Sequence, residues 1–103
     1  MVRTVIAVLA CLAAGTAHAG GETSRDALVN LVHQDCGSCH GLTLKGGLGP
    51  DIRPESLAHY DAETLSVVVL DGIQGTAMPP WRPLISEADA RTIAEYLLQG
   101  DIK

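Results

Sequence analysis

Phenylalanine is absent from this 103-residue chain, and Trp81, Tyr60 and Tyr96 are its only large aromatic side chains. A domain of this size with so little aromatic bulk is marginal unless a disulfide, a metal or another staple supplements its core. Sulfur is scarce as well, with three cysteines and two methionines. No apolar run reaches the roughly 20 residues of a membrane-spanning helix. Basic residues are outnumbered, 7 against 12 acidic ones, for a formal net charge of −5. That balance argues against nucleic acid or anionic lipid as the partner and favours a protein with a complementary basic patch. There is no repeat, no low-complexity tract, and no grouping of nucleophile, base and orienting residue that would suggest an enzyme.

The N-terminus reads as a signal peptide over Met1 to Ala19. Arg3 gives the positive n-region, Val5 to Ala14 the apolar h-region, and Ala17-His18-Ala19 a small-x-small cleavage site. A lipoprotein signal cut before Cys11 would leave an unusually short h-region. Cleavage after Ala19 leaves one small domain, residues 20–103, and removes Met1, Arg3, Cys11 and His18, so the net charge moves from −5 to −6. Cys36 and Cys39 are then the remaining cysteines, in an exported compartment where thiols normally become disulfides.

Gly20-Gly21-Glu22 makes a short lead. Thr23 or Ser24 starts a helix, Thr23 with Asp26 resembling a capping box, and Leu28, Leu31 and Val32 line one face so that Cys36 arrives at the helix's C-terminal end. Gly41 to Pro54 is a loop, followed by a short helical turn at Pro54-Glu55-Ser56-Leu57. Asp61 starts a second helix that stops at Asp71-Gly72, although Val67 to Leu70 alone also suits a buried strand. Ile73 to Leu84 is a proline-punctuated loop containing Met78, and Ser86 caps a last helix that Gly100 ends.

Cys36-Gly37-Ser38-Cys39-His40 is the C-x-x-C-H pattern of c-type haem attachment. Two thiols at this spacing reach the two vinyl groups on one porphyrin edge, and the next residue's imidazole then meets the iron. A covalently attached porphyrin would also supply the missing aromatic bulk and the staple. Three other readings compete. A thioredoxin-like pair expects a βαβ context that is missing; zinc is allowed by the count of cysteines and histidines but usually takes four protein ligands; a plain disulfide needs no His40.

Met78 is the one thioether left after signal removal, stiffened by Pro79 and Pro80, and a soft sulfur opposite imidazole favours reduced iron. The alternatives are that Met78 fills core, or that His59 or His33 is the sixth ligand. The Pro50 carbonyl in Gly49-Pro50 is a candidate acceptor for the other ring nitrogen of His40, or the pair is a simple turn. Arg82, Arg53 and Lys45 could offset the haem propionates, and Trp81 either closes the haem edge or packs in the core.

These residues resemble the class I cytochromes c, with an N-terminal helix, CGSCH, a Gly-Pro loop, a Met-Pro loop and a C-terminal helix. More narrowly, GLTLKGGLGP and GTAMPPW are similar to the small periplasmic cytochromes c-55X that accompany haem-d1 nitrite reductase in denitrifying bacteria. The resemblance implies an all-α fold around one covalently bound haem c, with His40 and Met78 as metal ligands. It implies a monomeric periplasmic electron-transfer protein serving a cytochrome cd1-type nitrite reductase or a haem d1 maturation enzyme. The alternative is a sensor or enzyme whose Met ligand is labile or absent. One departure stands out: Leu28 and Val32 occupy first-helix positions where class I cytochromes commonly place a glycine and an aromatic, so a wider, aliphatic crossing with the last helix is expected.

Overall fold

The structure, a computed structural model, describes residues 23–100; the signal peptide expected over Met1 to Ala19 and the short lead after it lie outside the described residues. Among these, every regular element is helical.

Helix α1 spans Arg25–Leu31, and Ser24 caps it by accepting the Ala27 N–H at 3.3 Å. The capping box expected between Thr23 and Asp26 does not form, because with Ser24 as the cap Asp26 stands one position too early for a box. Thr23 instead donates its backbone N–H (3.1 Å) and its hydroxyl (2.9 Å) to the carboxylate of Asp89. That carboxylate is only 5% exposed, and a buried charge requires such donors.

The helix does not end at Cys36, contrary to expectation. It passes through a π turn, Val32–Cys36, into helix α2, Gly37–His40, so both cysteines and the histidine lie within helical backbone. The Gly37 N–H reaches back to the Val32 carbonyl. The inserted residue rotates the downstream segment by roughly 100° relative to an uninterrupted α-helix. Leu28 and Val32 can therefore face the core while Cys39 faces outward.

The loop after α2 is anchored by Leu44, which takes left-handed backbone (φ 62°) and buries its side chain completely. The backbone cost is offset by burial of a whole leucine. A 3-10 turn covers Pro54–Ser56. Helix α3, Ala62–Asp71, begins at Asp61, whose carboxylate accepts the Thr64 N–H at 2.6 Å; Val67 to Leu70 are helical, not a strand. Helix α4, Glu87–Gln99, is capped by Ser86 and stops at Gly100 in left-handed backbone.

The core lies where Leu65, Val69 and Leu70 of α3 meet Ala90, Ile93, Ala94 and Leu97 of α4, with Leu28 and Val32 packed on the other side. The contact between α1 and α4 is aliphatic at those two positions, as expected, but it is not aliphatic throughout. Tyr96 carries the Arg25 guanidinium over its ring at 5.5 Å and shares a 2.8 Å hydrogen bond between its hydroxyl and His33 Nε2.

Replacing Asp89 with Ala leaves both Thr23 donors without their acceptor and frees the start of α1 from α4. The expected loss is about 2 kcal/mol, within the range for unmet hydrogen-bonding groups, measured by urea unfolding of the holoprotein, with Asp89→Asn retaining part of it.

Candidate haem site

The loop beyond α2 folds back over the helix end and satisfies its carbonyls. Gly46 N–H donates to the His40 carbonyl at 2.8 Å and Gly49 N–H to the Cys39 carbonyl at 2.7 Å. Two close approaches hold it there. A Cβ on Gly47 would stand 2.8 Å from the Cys39 carbonyl oxygen, and one on Gly49 would stand 2.9 Å from both Nδ1 and Cε1 of His40. The chain thus lies flat against the imidazole, and His40 Nδ1 meets the Pro50 carbonyl at 2.7 Å. A carbonyl oxygen only accepts, so Nδ1 carries the proton and Nε2 keeps a lone pair for a metal.

Cys36 is half-buried, Cys39 is exposed, and neither is in a disulfide. Burial, helped by the charge of Asp35, pushes the Cys36 thiol up to about 11. The elements around the two cysteines, among the described residues, are helical, without the βαβ frame that a thioredoxin-like pair expects. Among the described residues no cluster of three or more His, Cys, Asp or Glu side chains converges to hold a metal ion.

Among the described residues, the two other histidines are otherwise engaged. His33 uses both ring nitrogens on the protein, Nδ1 with the Leu42 carbonyl at 3.0 Å and Nε2 with Tyr96. His59 is exposed and lies against Tyr60, ring centroids 4.3 Å apart.

Met78, partly buried, sits in a loop tied to the C-terminal end of α3. Trp81 and Arg82 donate their backbone N–H groups to the Val69 and Leu70 carbonyls at 3.2 and 2.9 Å, and Ile73 donates to the Met78 carbonyl at 3.3 Å. Gly72 has φ 67°, and a Cβ there would stand 2.5 Å from the Met78 carbonyl oxygen. The Trp81 side chain is half-buried against the core. Arg53 pairs with Asp51 and Glu55, and Arg82 with Asp71 and Glu87, whereas Lys45 forms no ion pair among the described residues.

An imidazole with one nitrogen committed and one available, two free thiols three residues apart, and a tethered thioether form a donor set suited to haem. Two exposed apolar side chains adjoin these groups along the chain: Leu48, 96% exposed, precedes Gly49, and Ile73 donates its N–H to the Met78 carbonyl.

Residues 23–97 match the family described as cytochrome c oxidase, cbb3-type, subunit III. The chain is 57% identical over 98 residues to cytochrome c55X of Paracoccus denitrificans (strain Pd 1222), covering 93% of this chain and 95% of that protein. The chain belongs to the cytochrome c55X family. As a member of it, the protein carries one covalently bound haem c and has the all-α fold of class I c-type cytochromes. A solved structure of the c-type cytochrome NirC superposes with a TM-score of 0.73 at 47% identity, over 76% of this chain and 92% of that one. A structure of dihydro-heme d1 dehydrogenase NirN in complex with DHE gives a TM-score of 0.67 at 32% identity, over 73% of this chain but only 16% of that one. Among the described residues of this c55X-family cytochrome, no helix is long and apolar enough to cross a membrane.

Sequence reasoning missed Gly49, Gly72 and the bridge between His33 and Tyr96. Gly49 is visible there only as half of a Gly-Pro turn and Gly72 only as a helix stop; nothing in the sequence announces a contact between positions 33 and 96.

Gly49→Ala drives a methyl into the His40 ring. We expect an overpacking cost of about 1–3 kcal/mol, read as a lower melting temperature of the holoprotein, and a shifted haem potential as the ring leaves the Pro50 carbonyl.

Proposed function

We propose that this cytochrome is a periplasmic one-electron carrier in which Cys36 and Cys39 hold the haem through thioethers while His40 and Met78 take the two axial positions. When bound, the haem supplies an iron centre that cycles between Fe(II) and Fe(III). The observation that carries this reading is the hydrogen bond from His40 Nδ1 to the Pro50 carbonyl, which fixes the tautomer and aims Nε2. The Pro50 bond also holds the ring in place, and the Met78 thioether would favour the reduced state. Trp81 shields the edge of the site from water. With His40 and Met78 both serving as its ligands the iron would keep no open place for a substrate, which supports a carrier over an enzyme. A sensor or enzyme with a labile methionine fits poorly with a Met78 carbonyl bonded to the Ile73 N–H and a following segment, Trp81 and Arg82, bonded to the end of α3.

The mature protein begins at Gly20 in this reading and forms one monomeric domain. Its acidic balance suits a partner with a basic docking face. The likeness to one part of a dihydro-heme d1 dehydrogenase supports service to a haem d1 system, either as electron donor to a cytochrome cd1-type nitrite reductase or in maturation of the d1 haem.

Carbon monoxide added to the reduced protein at neutral pH should bind slowly and incompletely, and Met78→Ala should bind it rapidly and in full. Electron transfer from the reduced cytochrome to a cd1-type reductase should slow as salt shortens the Debye length from about 30 to about 8 Å. Equal carbon monoxide binding by both proteins would count against Met78 as a ligand.

A further inference from the structure

We propose that Thr76 is a positioning residue for Met78, its hydroxyl latching the loop so that the sulfur stays on the iron. The inference rests on the reading of Met78 as an axial ligand.

The loop that carries Met78 has few means of holding its shape. Gln74, Gly75, Thr76 and Ala77 are all exposed, and because Pro79 and Pro80 have no N–H, the chain beyond the methionine is first tethered at Trp81 and Arg82, to the Val69 and Leu70 carbonyls. What fixes it is a closed set of hydrogen bonds that Thr76 completes. The Thr76 hydroxyl donates to the Ile73 carbonyl at 2.6 Å, and the same oxygen accepts the Met78 N–H at 3.2 Å. The Thr76 N–H donates to that Ile73 carbonyl as well, at 3.1 Å, and the Ile73 N–H donates back to the Met78 carbonyl at 3.3 Å. Both backbone polar groups of Met78 are thereby referred to Ile73, which is joined through Gly72 to the last residue of α3.

Gly75 turns the chain between them at φ 80°, and a Cβ there would meet nothing within 4 Å, so this turn is held by backbone conformation and these bonds. Thr76 is the one side chain in the set. Without its hydroxyl the Met78 N–H bonds to water instead, and of the methionine's own backbone groups only the carbonyl is still held. The latch therefore acts on the iron through Met78, by limiting how often the sulfur swings away and admits another ligand.

The test is imidazole titration of the oxidised holoprotein for wild type, Thr76→Val, Thr76→Ser and Met78→Ala, monitored by the loss of the weak sulfur-to-iron charge-transfer band at the red end of the spectrum. Thr76→Val should bind imidazole roughly fivefold more tightly, the weight of one ordinary hydrogen bond. Thr76→Ser, which keeps the hydroxyl, should match wild type. If Thr76→Val matches wild type while Met78→Ala binds imidazole far more tightly, the latch is overturned and the ligand stands. If Thr76→Ser, which keeps the hydroxyl, is altered as much as Thr76→Val, the hydroxyl does not account for the effect, which also overturns it. If Met78→Ala keeps the band and the wild-type affinity, the ligand reading itself fails and the latch with it.

Discussion

The hydrogen bond between His40 and the Pro50 carbonyl is the constraint on which the rest of the site depends. It requires Gly49 to lie against the imidazole, which in turn requires the loop after α2 to fold back over the helix end. That loop holds its place because Leu44 is buried behind it and because its glycine N–H groups take up the carbonyls of Cys39 and His40. One side-chain orientation thus rests on three ordinary effects: helix-end satisfaction, glycine's freedom, and burial of a leucine.

The methionine side is built by the same logic at a different helix end. The carbonyls of Val69 and Leu70, left open at the end of α3, take the N–H groups of Trp81 and Arg82, and Gly72 lets the Met78 carbonyl approach. Each candidate ligand is therefore set by backbone contacts to a helix terminus, while the packing of α3 on α4 supplies the rigid frame. A small chain without phenylalanine concentrates its aliphatic residues in that frame. It leaves apolar side chains such as Leu48 and Ile73 beside the groups that would grip a haem.

Much of this frame is legible in the sequence because it rests on local rules. Ser86 and Asp61 read as caps and are caps; Gly72 and Gly100 read as stops and are stops. The elements that differ are those decided by partners distant in the chain. Thr23 abandons a local box for Asp89, 66 positions away, because a buried carboxylate competes more strongly than an exposed helix end. The helix runs past Cys36 because Val32 and the motif need different facings, which a π turn reconciles and no periodicity announces. In the sequence His33 reads as a rival ligand, and its bond to Tyr96 emerges only once the first and last helices are brought together. The C-x-x-C-H pattern shows the attachment chemistry, but it carries no sign of the glycine contacts that orient His40.

The central claim is that one haem is held between His40 Nε2 and the sulfur of Met78. Proton NMR of the reduced holoprotein tests it most directly. The account predicts one methionine methyl resonance shifted far upfield by the haem ring current, assigned to Met78, together with a slowly exchanging His40 Nδ1–H. A Met78 methyl at its ordinary position, or a His40 Nδ1–H in free exchange with water, would contradict it.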